Sequence, residues 1–360
     1  MNYREIELLA RTTYSADAVE TIDLDMKDPI SQIQITHEPH NTNQNTSTAH
    51  PAACVTDITL KDGSDILYNL SGYQAQAADY YHNNKAPFGR FRGLNDNTST
   101  MLYNINLGRT MWDKELALDP SNFSNLQLQV TTDMDAGGCA PDAGYLTVTA
   151  SLFDEKKIEP VGFFTHKEHK TYSGGSATHE KVNLPTDNAY RMLMLRCLTV
   201  DHNATALYDT IKIDQDNGKK VPIDLTSAEL MQAIMGRWIP YEETLLFPGY
   251  TAAKNWHRAP THEVHGASQG WHGASALYYS AYGTSGGRMA VTASGQGPNG
   301  QIVTRGYNPH GAIAIPFGDL QDIDDWYEME DIESLVVDTL NKSDGSGETF
   351  EIFSQQLRRY

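Results

Sequence analysis

The sequence predicts an all-β chain folded as two successive β-sandwiches of about eight strands each, with few and short helices. Three observations predict it. Apolar and polar residues alternate at period two in short runs along most of the chain. One long pattern of strands and turns occurs twice in the same order. The length, 360 residues, is more than one sandwich needs and about right for two, at ~100–200 residues per domain.

The alternation is plain in Ile22/Leu24/Met26, Ile33/Ile35, Ile58/Leu60, Leu126/Leu128/Val130 and Leu146/Val148/Ala150/Leu152. It returns in Val182/Leu184, Ile211/Ile213, Val221/Ile223/Leu225, Ile313/Ile315/Phe317 and Phe350/Ile352. Period two buries one face of a strand and exposes the other, as in a sandwich. Arg191–Val200, RMLMLRCLTV, is more continuously apolar and reads as a strand covered on both faces. The clearest helix is Ser227–Met235, with Thr226 as N-cap, Glu229 completing a capping box and Gly236 as the stop.

The repeat carries the most information. Residues 55–78, VTDITLKDGSDILYNLSGYQAQAA, and residues 207–234, LYDTIKIDQDNGKKVPIDLTSAELMQAI, both read as strand, tight turn, strand, short helix. Their Asp-Gly and Asn-Gly dipeptides suit the positive-φ positions of a hairpin. Upstream lie paired openings, TIDLDMKDPISQIQI at 21–35 and KVNLPTDNAYRMLML at 181–195. Downstream, 102–130 and 312–337 are each strand, acidic Gly-containing connection, strand. A loop and a last strand follow in both copies, Tyr145–Phe153 and Thr349–Phe353.

The copies differ in one connection, which runs from Ala78 to Tyr103 in the first and from Ile234 to Ile313 in the second. Loops that long carry function or substructure. The expected organisation is an N-terminal arm (1–16), a first unit (17–157) and a second unit (158–360) containing an insertion at 236–311.

Eight short strands with long excursions at one end fit the jelly roll. Two in tandem resemble the double jelly-roll major capsid proteins of the lineage that includes tectiviruses, lipid-containing marine phages and adenoviruses. The resemblance covers roughly residues 17–357. It is carried by IDLDMKDPISQIQI, INLGRTMWDKELALDPSNFSNLQLQV and KVNLPTDNAYRMLMLR.

It implies a structural coat protein of a virion and no enzymatic activity. Three chains would form a pseudo-hexagonal capsomer that meets neighbouring capsomers and minor capsid proteins. The 236–311 insertion would be a large outer tower, 79–100 a smaller one, and the arm would lie at the inner or inter-capsomer side. Relatives that enclose a membrane make the chain's termini candidates for contact with an internal lipid layer.

The formal net charge of −19 excludes a surface that grips a phosphate backbone throughout, so no direct sequence-specific nucleic-acid binding is expected. Arg4, Arg11, Arg358 and Arg359 are read as solvated ends, or as ends that touch an anionic surface such as lipid headgroups. Cys54, Cys139 and Cys197 lack metal spacing and read as reduced thiols. Acids near the start, where a signal peptide needs an apolar run, point to synthesis and assembly in a host cytoplasm.

Chemistry-bearing motifs are few. His257, His262, His265 and His272 lie in the insertion beside Glu263, but not at H-E-x-x-H spacing, so packing among loops is the expected role. Asp214-Gln-Asp-Asn-Gly has Leu225 where a calcium loop needs a bidentate Glu, and reads as a hairpin turn, as does Asp133-Met-Asp-Ala-Gly-Gly. The acids of 319–333 read as a solvated face or as a contact for a cation or basic neighbour. No catalytic, cofactor or metal residue is assigned.

Two other functions stay open. A glycan-binding module, such as a phage spike, would use Trp256, Trp271, Tyr278 and Tyr279 as an aromatic platform. A carbohydrate-active enzyme would use Glu263, or Glu242 and Glu243, as acid and base.

Overall fold

A computed structural model describes residues 3–41, 49–136, 141–154, 158–197, 199, 202–247, 254–267, 270–272, 277–284, 286–293 and 300–360. The chain opens with β1 (Arg4–Tyr14), β2 (Ala18–Asp23), β3 (Ile30–Asn41), β4 (Val55–Asp62), β5 (Asp65–Leu70) and α1 (Gly72–Asn83). It continues with β6 (Gly89–Arg92), β7 (Asn97–Thr98), β8 (Thr100–Asn106), β9 (Leu126–Thr132) and β10 (Pro141–Leu152). The second half begins with β11 (Gly162–Ser173), β12 (His179–Leu184), β13 (Ala189–Cys197), α2 (Ala204–Leu207), β14 (Tyr208–Gln215), β15 (Lys220–Thr226) and α3 (Ser227–Arg237). The insertion holds β16 (Tyr241–Phe247), β17 (Lys254–Arg258), β18 (Thr261–Ala267), β19 (Gly270–His272), β20 (Leu277–Thr284), β21 (Arg288–Ala293) and β22 (Gly300–Pro309). The chain closes with β23 (Ala312–Pro316), β24 (Leu335–Asn341) and β25 (Thr349–Arg359).

The repeat seen in the sequence is a repeat of topology. Hydrogen-bonded order in the first half is β1-β10-β3-β8 in one sheet and β2-β9-β4-β5 in the other. In the second half it is β11-β25-β13-β23 and β12-β24-β14-β15, the same order with every strand replaced by its counterpart. Two four-stranded sheets with this threading make a jelly roll. The alternation is realised as burial: β9 and β24 both bury every second residue along their whole length. β13 is buried at all nine positions, as expected of a strand covered on both faces.

Local chemistry sets the turns and caps. At the β14–β15 hairpin Asp216, Asn217 and Gly218 all take positive φ, and the Asp214 carboxylate accepts the Gly218 N–H at 2.6 Å. Ser71 and Gln74 form a capping box at the start of α1, and Thr226 and Glu229 form one at α3. The helix of α3 runs through Gly236 to Arg237, past the expected stop. It ends where Trp238 leaves the axis to donate its indole N–H to the Tyr81 carbonyl at 3.0 Å.

Two expectations are revised. Residues 4–14, expected within an N-terminal arm outside the first roll, are that roll's outer strand, zipped antiparallel onto β10 from Arg4↔Leu152 to Tyr14↔Gly144. Ile6, Leu8 and Leu9 pack against the core, which repays the ordering of that segment. The two excursions, expected as separate towers, share a sheet. β6 pairs in parallel with β16, so β6, β16, β22 and β18 extend the first roll's sheet beyond β8. The other insertion strands form a four-stranded sheet, β17-β21-β20-β19.

The rolls are also joined directly. β5 pairs in parallel with β11 at His166↔Tyr68 and Lys167↔Asn69, fusing a sheet of each roll into one of eight strands. A single apolar cluster runs from Ile33 and Leu128 in the first roll to Met194, Ile213 and Phe353 in the second. Among the described residues no helix is long and apolar enough to cross a membrane.

Candidate functional site

The geometry concentrates its polar chemistry at the seam between the rolls, and α1 is the centre of that seam. Ten of its twelve residues are buried, all round the helix. Such a helix cannot be amphipathic; it is held by neighbours on every side. Gln74 shows how. Its side-chain oxygen accepts the Ser71 N–H at 2.8 Å as part of the cap. Its amide nitrogen donates to Glu168 on β11 at 2.5 Å and to Glu351 on β25 at 2.8 Å. One residue therefore caps a helix of the first roll and ties it to the second. Farther along, Tyr80 donates to the Ile239 carbonyl at 2.6 Å and Tyr81 to that of Ala312 at 2.8 Å.

Two buried arginines of β13 complete the seam. Arg196 donates to Glu351 at 2.5 Å and to the His310 carbonyl at 3.0 Å. Arg191 is fully buried and donates to the Leu320 carbonyl at 2.9 Å, to His82 at 2.8 Å and to Gln355 at 2.5 Å. Gln355 in turn donates to His82 and His166, each at 2.9 Å. Desolvation pulls the Arg191 guanidinium down to about 9 and the His166 imidazole down to about 3, so at neutral pH the cation sits among uncharged rings.

At the root of the insertion, His50 pairs with Glu243 at 2.8 Å, His310 pairs with Gln76 at 2.8 Å, and their rings lie 4.9 Å apart. These rings and His262 line a cavity of about 160 Å³ with Tyr73, Thr199 and Arg258. Burial pushes the His262 imidazole down to about 3 and His257, which packs on Phe247, down to about 4. The insertion histidines that can be followed are thus interior groups. The side chains of His265 and His272 lie outside the described residues. Among the described residues no three His, Cys, Asp or Glu side chains converge in a way that could hold a metal ion.

The other candidates scatter. Glu263 accepts from Asn203 at 2.8 Å, and burial raises its carboxyl to about 7. Glu242 and Glu243 are adjacent on β16 and point to opposite faces, so the two do not flank one bond. Glu242 pairs with Arg305 at 3.2 Å while Glu243 turns inward to His50. Trp256 is stacked under the Arg288 guanidinium at 3.8 Å, and the side chains of Trp271, Tyr278 and Tyr279 lie outside the described residues.

Asp133 accepts the N–H groups of Asp135 and Ala136 as a turn, and the loop beyond Ala136 is outside the described residues, Cys139 included. Cys54 and Cys197 are buried. In the acidic stretch Asp319, Asp322, Asp324, Asp325 and Glu333 are exposed, whereas Ile323 and Trp326 are buried beneath them.

The four terminal arginines are engaged within the chain: Arg4 with Asp28, Arg11 with Glu38, Arg358 with Asp65 and Arg359 with Glu328. An anionic surface would have to compete with those pairs.

Reading the sequence alone missed Gln74, Arg191, Arg196, His50, His310 and Glu351. A signal existed for the arginines. Charges inside a run read as covered on both faces must be bonded to something, because an unpaired buried charge is too costly. For His50 and Gln74 no local pattern marks the role, since their partners lie more than 90 positions away.

No family model and no curated protein sequence matches the chain. Solved structures do. The chain is similar in fold to the STIV major capsid protein, at 10% identity and a TM-score of 0.60 over 98% of this chain and 96% of that one. It is similar to the major capsid protein P2 from bacteriophage PM2, at 10% identity and a TM-score of 0.55 over 99% and 98%. A third is the PBCV-1 virus capsid, at 10% identity and a TM-score of 0.54 over 99% and 93%. The likeness runs end to end, and the chain has the double jelly-roll fold of these proteins.

Proposed function

We propose that this chain is the major coat protein of an icosahedral virus, that three copies close into a pseudo-hexagonal capsomer, and that capsomers tile a shell. The observation that supports the reading most is the full-length likeness to capsid subunits in a fold that sets two copies of one roll side by side. A chain with two rolls supplies two of six corners, so a three-fold ring closes the hexagon without leaving a face for runaway polymerisation. Binding through broad surfaces, at ~2,000–5,000 Å² per obligate interface, needs no reactive group.

On this reading the chain resides in the virion, is synthesised and assembled in the host cytoplasm, and meets neighbouring capsomers and minor capsid proteins. The net charge of −19 suits a shell that does not hold genome by direct contact. Any lipid layer beneath the shell would be reached by the ends only at the expense of the terminal ion pairs.

Negative-stain electron microscopy of the purified chain tests the proposal. Three-fold particles with a hexagonal outline, or closed shells, are expected. Irregular monomers at micromolar concentration would overturn it.

A further inference from the structure

The topology builds one contact between rolls and leaves its second half unused. Within the chain the first roll meets the second through β5 on β11, and through α1 laid over β11, β25 and β13. Every partner in that seam has a counterpart on the other roll. β15 and α3 correspond to β5 and α1, while β1, β10 and β3 correspond to β11, β25 and β13. β1 and β15 each stand at the end of a sheet, and among the described residues neither has a second strand partner. An open strand edge is a template for another strand. β13 is buried at all nine positions, whereas β3 buries alternate residues over most of its length. The sheet face that α1 covers in the second roll is therefore only half-covered in the first.

The counterparts match in detail. β1 skips Leu8 between Glu7 and Leu9 where it pairs with β10, and β11 skips His169 between Glu168 and Lys170 where it pairs with β25. On β11 the contact with β5 occupies His166 and Lys167, just before that bulge. The same place on β1 is Glu5 and Ile6. The hairpins correspond too, Leu60↔Tyr68 to Ile213↔Ile223 and Asp62↔Asp65 to Gln215↔Lys220. Registered on their N-caps, Ser71 and Thr226, the helices place Ala228, Glu229, Gly236 and Arg237 where α1 has Tyr73, Gln74, Tyr81 and His82. Those four α1 residues all reach the second roll, and the four α3 residues are all exposed.

Charge agrees with shape. Asp65 pairs with Arg358 across the seam at 2.6 Å. Leu152↔Ile30 and Gln356↔Tyr190 flank the same irregularity, so Asp154 is the counterpart of Arg358 and Lys220 that of Asp65. The attraction is kept with its signs exchanged. Asp154 now shares Arg4 with Asp28, and Lys220 lies over the Tyr327 ring at 4.9 Å. Each would trade a partner within the chain for one across the contact. His82 is linked to His166 through Gln355. The counterparts, Arg237 and Glu5, are exposed and opposite in charge. One place opposes: Glu229 has no N–H to give and would meet Glu7, the counterpart of Glu168. A contact between copies thus lacks the bonds that Gln74 supplies within the chain.

We propose that β15 and the exposed face of α3 dock on β1 and the outer face of the first roll in a second copy of this chain. The inference rests on the coat reading above and supplies the surface through which its three copies meet. The contact joins unlike surfaces, and each copy carries both halves. Such a heterologous contact closes into a ring when its rotation permits.

The test places Glu5→Cys and Ile223→Cys together in the full-length chain, where the register sets them opposite each other as His166 and Tyr68 are within the chain. Neighbouring strands bring such Cα atoms to ~5 Å, within the reach of a disulfide. After mild oxidation, non-reducing electrophoresis should show covalent trimers in the double variant and monomers in either single variant. Lys220→Glu, a surface change, should raise the protein concentration for half-dissociation roughly tenfold. Adding Asp154→Lys should recover most of that loss. This pair remains informative if the cysteine variant does not fold. Three-fold particles that neither cross-link nor respond to Lys220→Glu would overturn the contact and leave the coat reading standing. Cross-linked open ladders would support the contact and sink the three-fold capsomer. Monomers throughout would overturn both.

Discussion

Arg191 and Arg196 lie on one strand and are both buried, yet their energetics differ. Arg196 meets a carboxylate, Glu351, which also depends on Gln74. Removing one member of a buried ion pair strands the other, at a cost of ~3–5 kcal/mol. Among the described residues Arg191 bonds only to neutral groups, and one Nη atom of each arginine has no partner there. The Arg191 cation is desolvated with less return, so its loss should cost about 2 kcal/mol or less. Arg196→Met should therefore lower the thermal midpoint clearly more than Arg191→Met. Equal shifts would show that the carboxylate contact is not what Arg196 supplies. The double variant Arg196→Met/Glu351→Met should recover most of the single loss, because no charge is left stranded.

Among elements, α1 and α3 make the sharpest comparison, because both open with a capping box and occupy equivalent places in the two rolls. The box of α3 is exposed and serves that helix alone, so Glu229→Ala should cost ~0.5–1 kcal/mol. The box of α1 reaches across the seam. Gln74→Ala removes a cap and also the donor shared by Glu168 and Glu351, which makes ~2–4 kcal/mol the expected loss. Thermal melts of the two variants side by side decide it; matching shifts would mean that the seam bonds contribute nothing. The edge strand β1 carries two register irregularities against β10. Such bulges twist an edge away from casual pairing with another chain.

For the whole molecule, the buried imidazoles set a pH dependence. His37, His166 and His262 are held down to about 3, and His169 and His257 to about 4, by desolvation first of all. An unfolded histidine titrates near ~6.5, so below that pH the unfolded chain takes up protons that the folded chain refuses. The stability these groups contribute is complete above ~6.5 and is lost as the pH falls toward 3 to 4. Asp79 and Glu263 oppose them: burial raises their carboxyls to about 6 and about 7, so their own contributions improve as the pH drops through those values. Five groups outweigh two. The thermal midpoint should fall by more than ~5 °C between pH 7.5 and pH 5; a flat profile would mean that the imidazoles are not buried as described.

What the sequence by itself determined was the architecture: an all-β chain, a duplicated unit, hairpins at Asn217-Gly218 and Asp62-Gly63, capped helices and a long second excursion. These are legible because alternation, turn chemistry and caps are local, written in residues a few positions apart. What only the tertiary structure decided was where the rolls meet: the parallel pairing of β5 with β11, the reach of Gln74 into the second roll, the inward turn of the insertion histidines and the buried pairing of His50 with Glu243. The partners there are far apart in the chain, and no residue's local surroundings encode which distant surface will cover it.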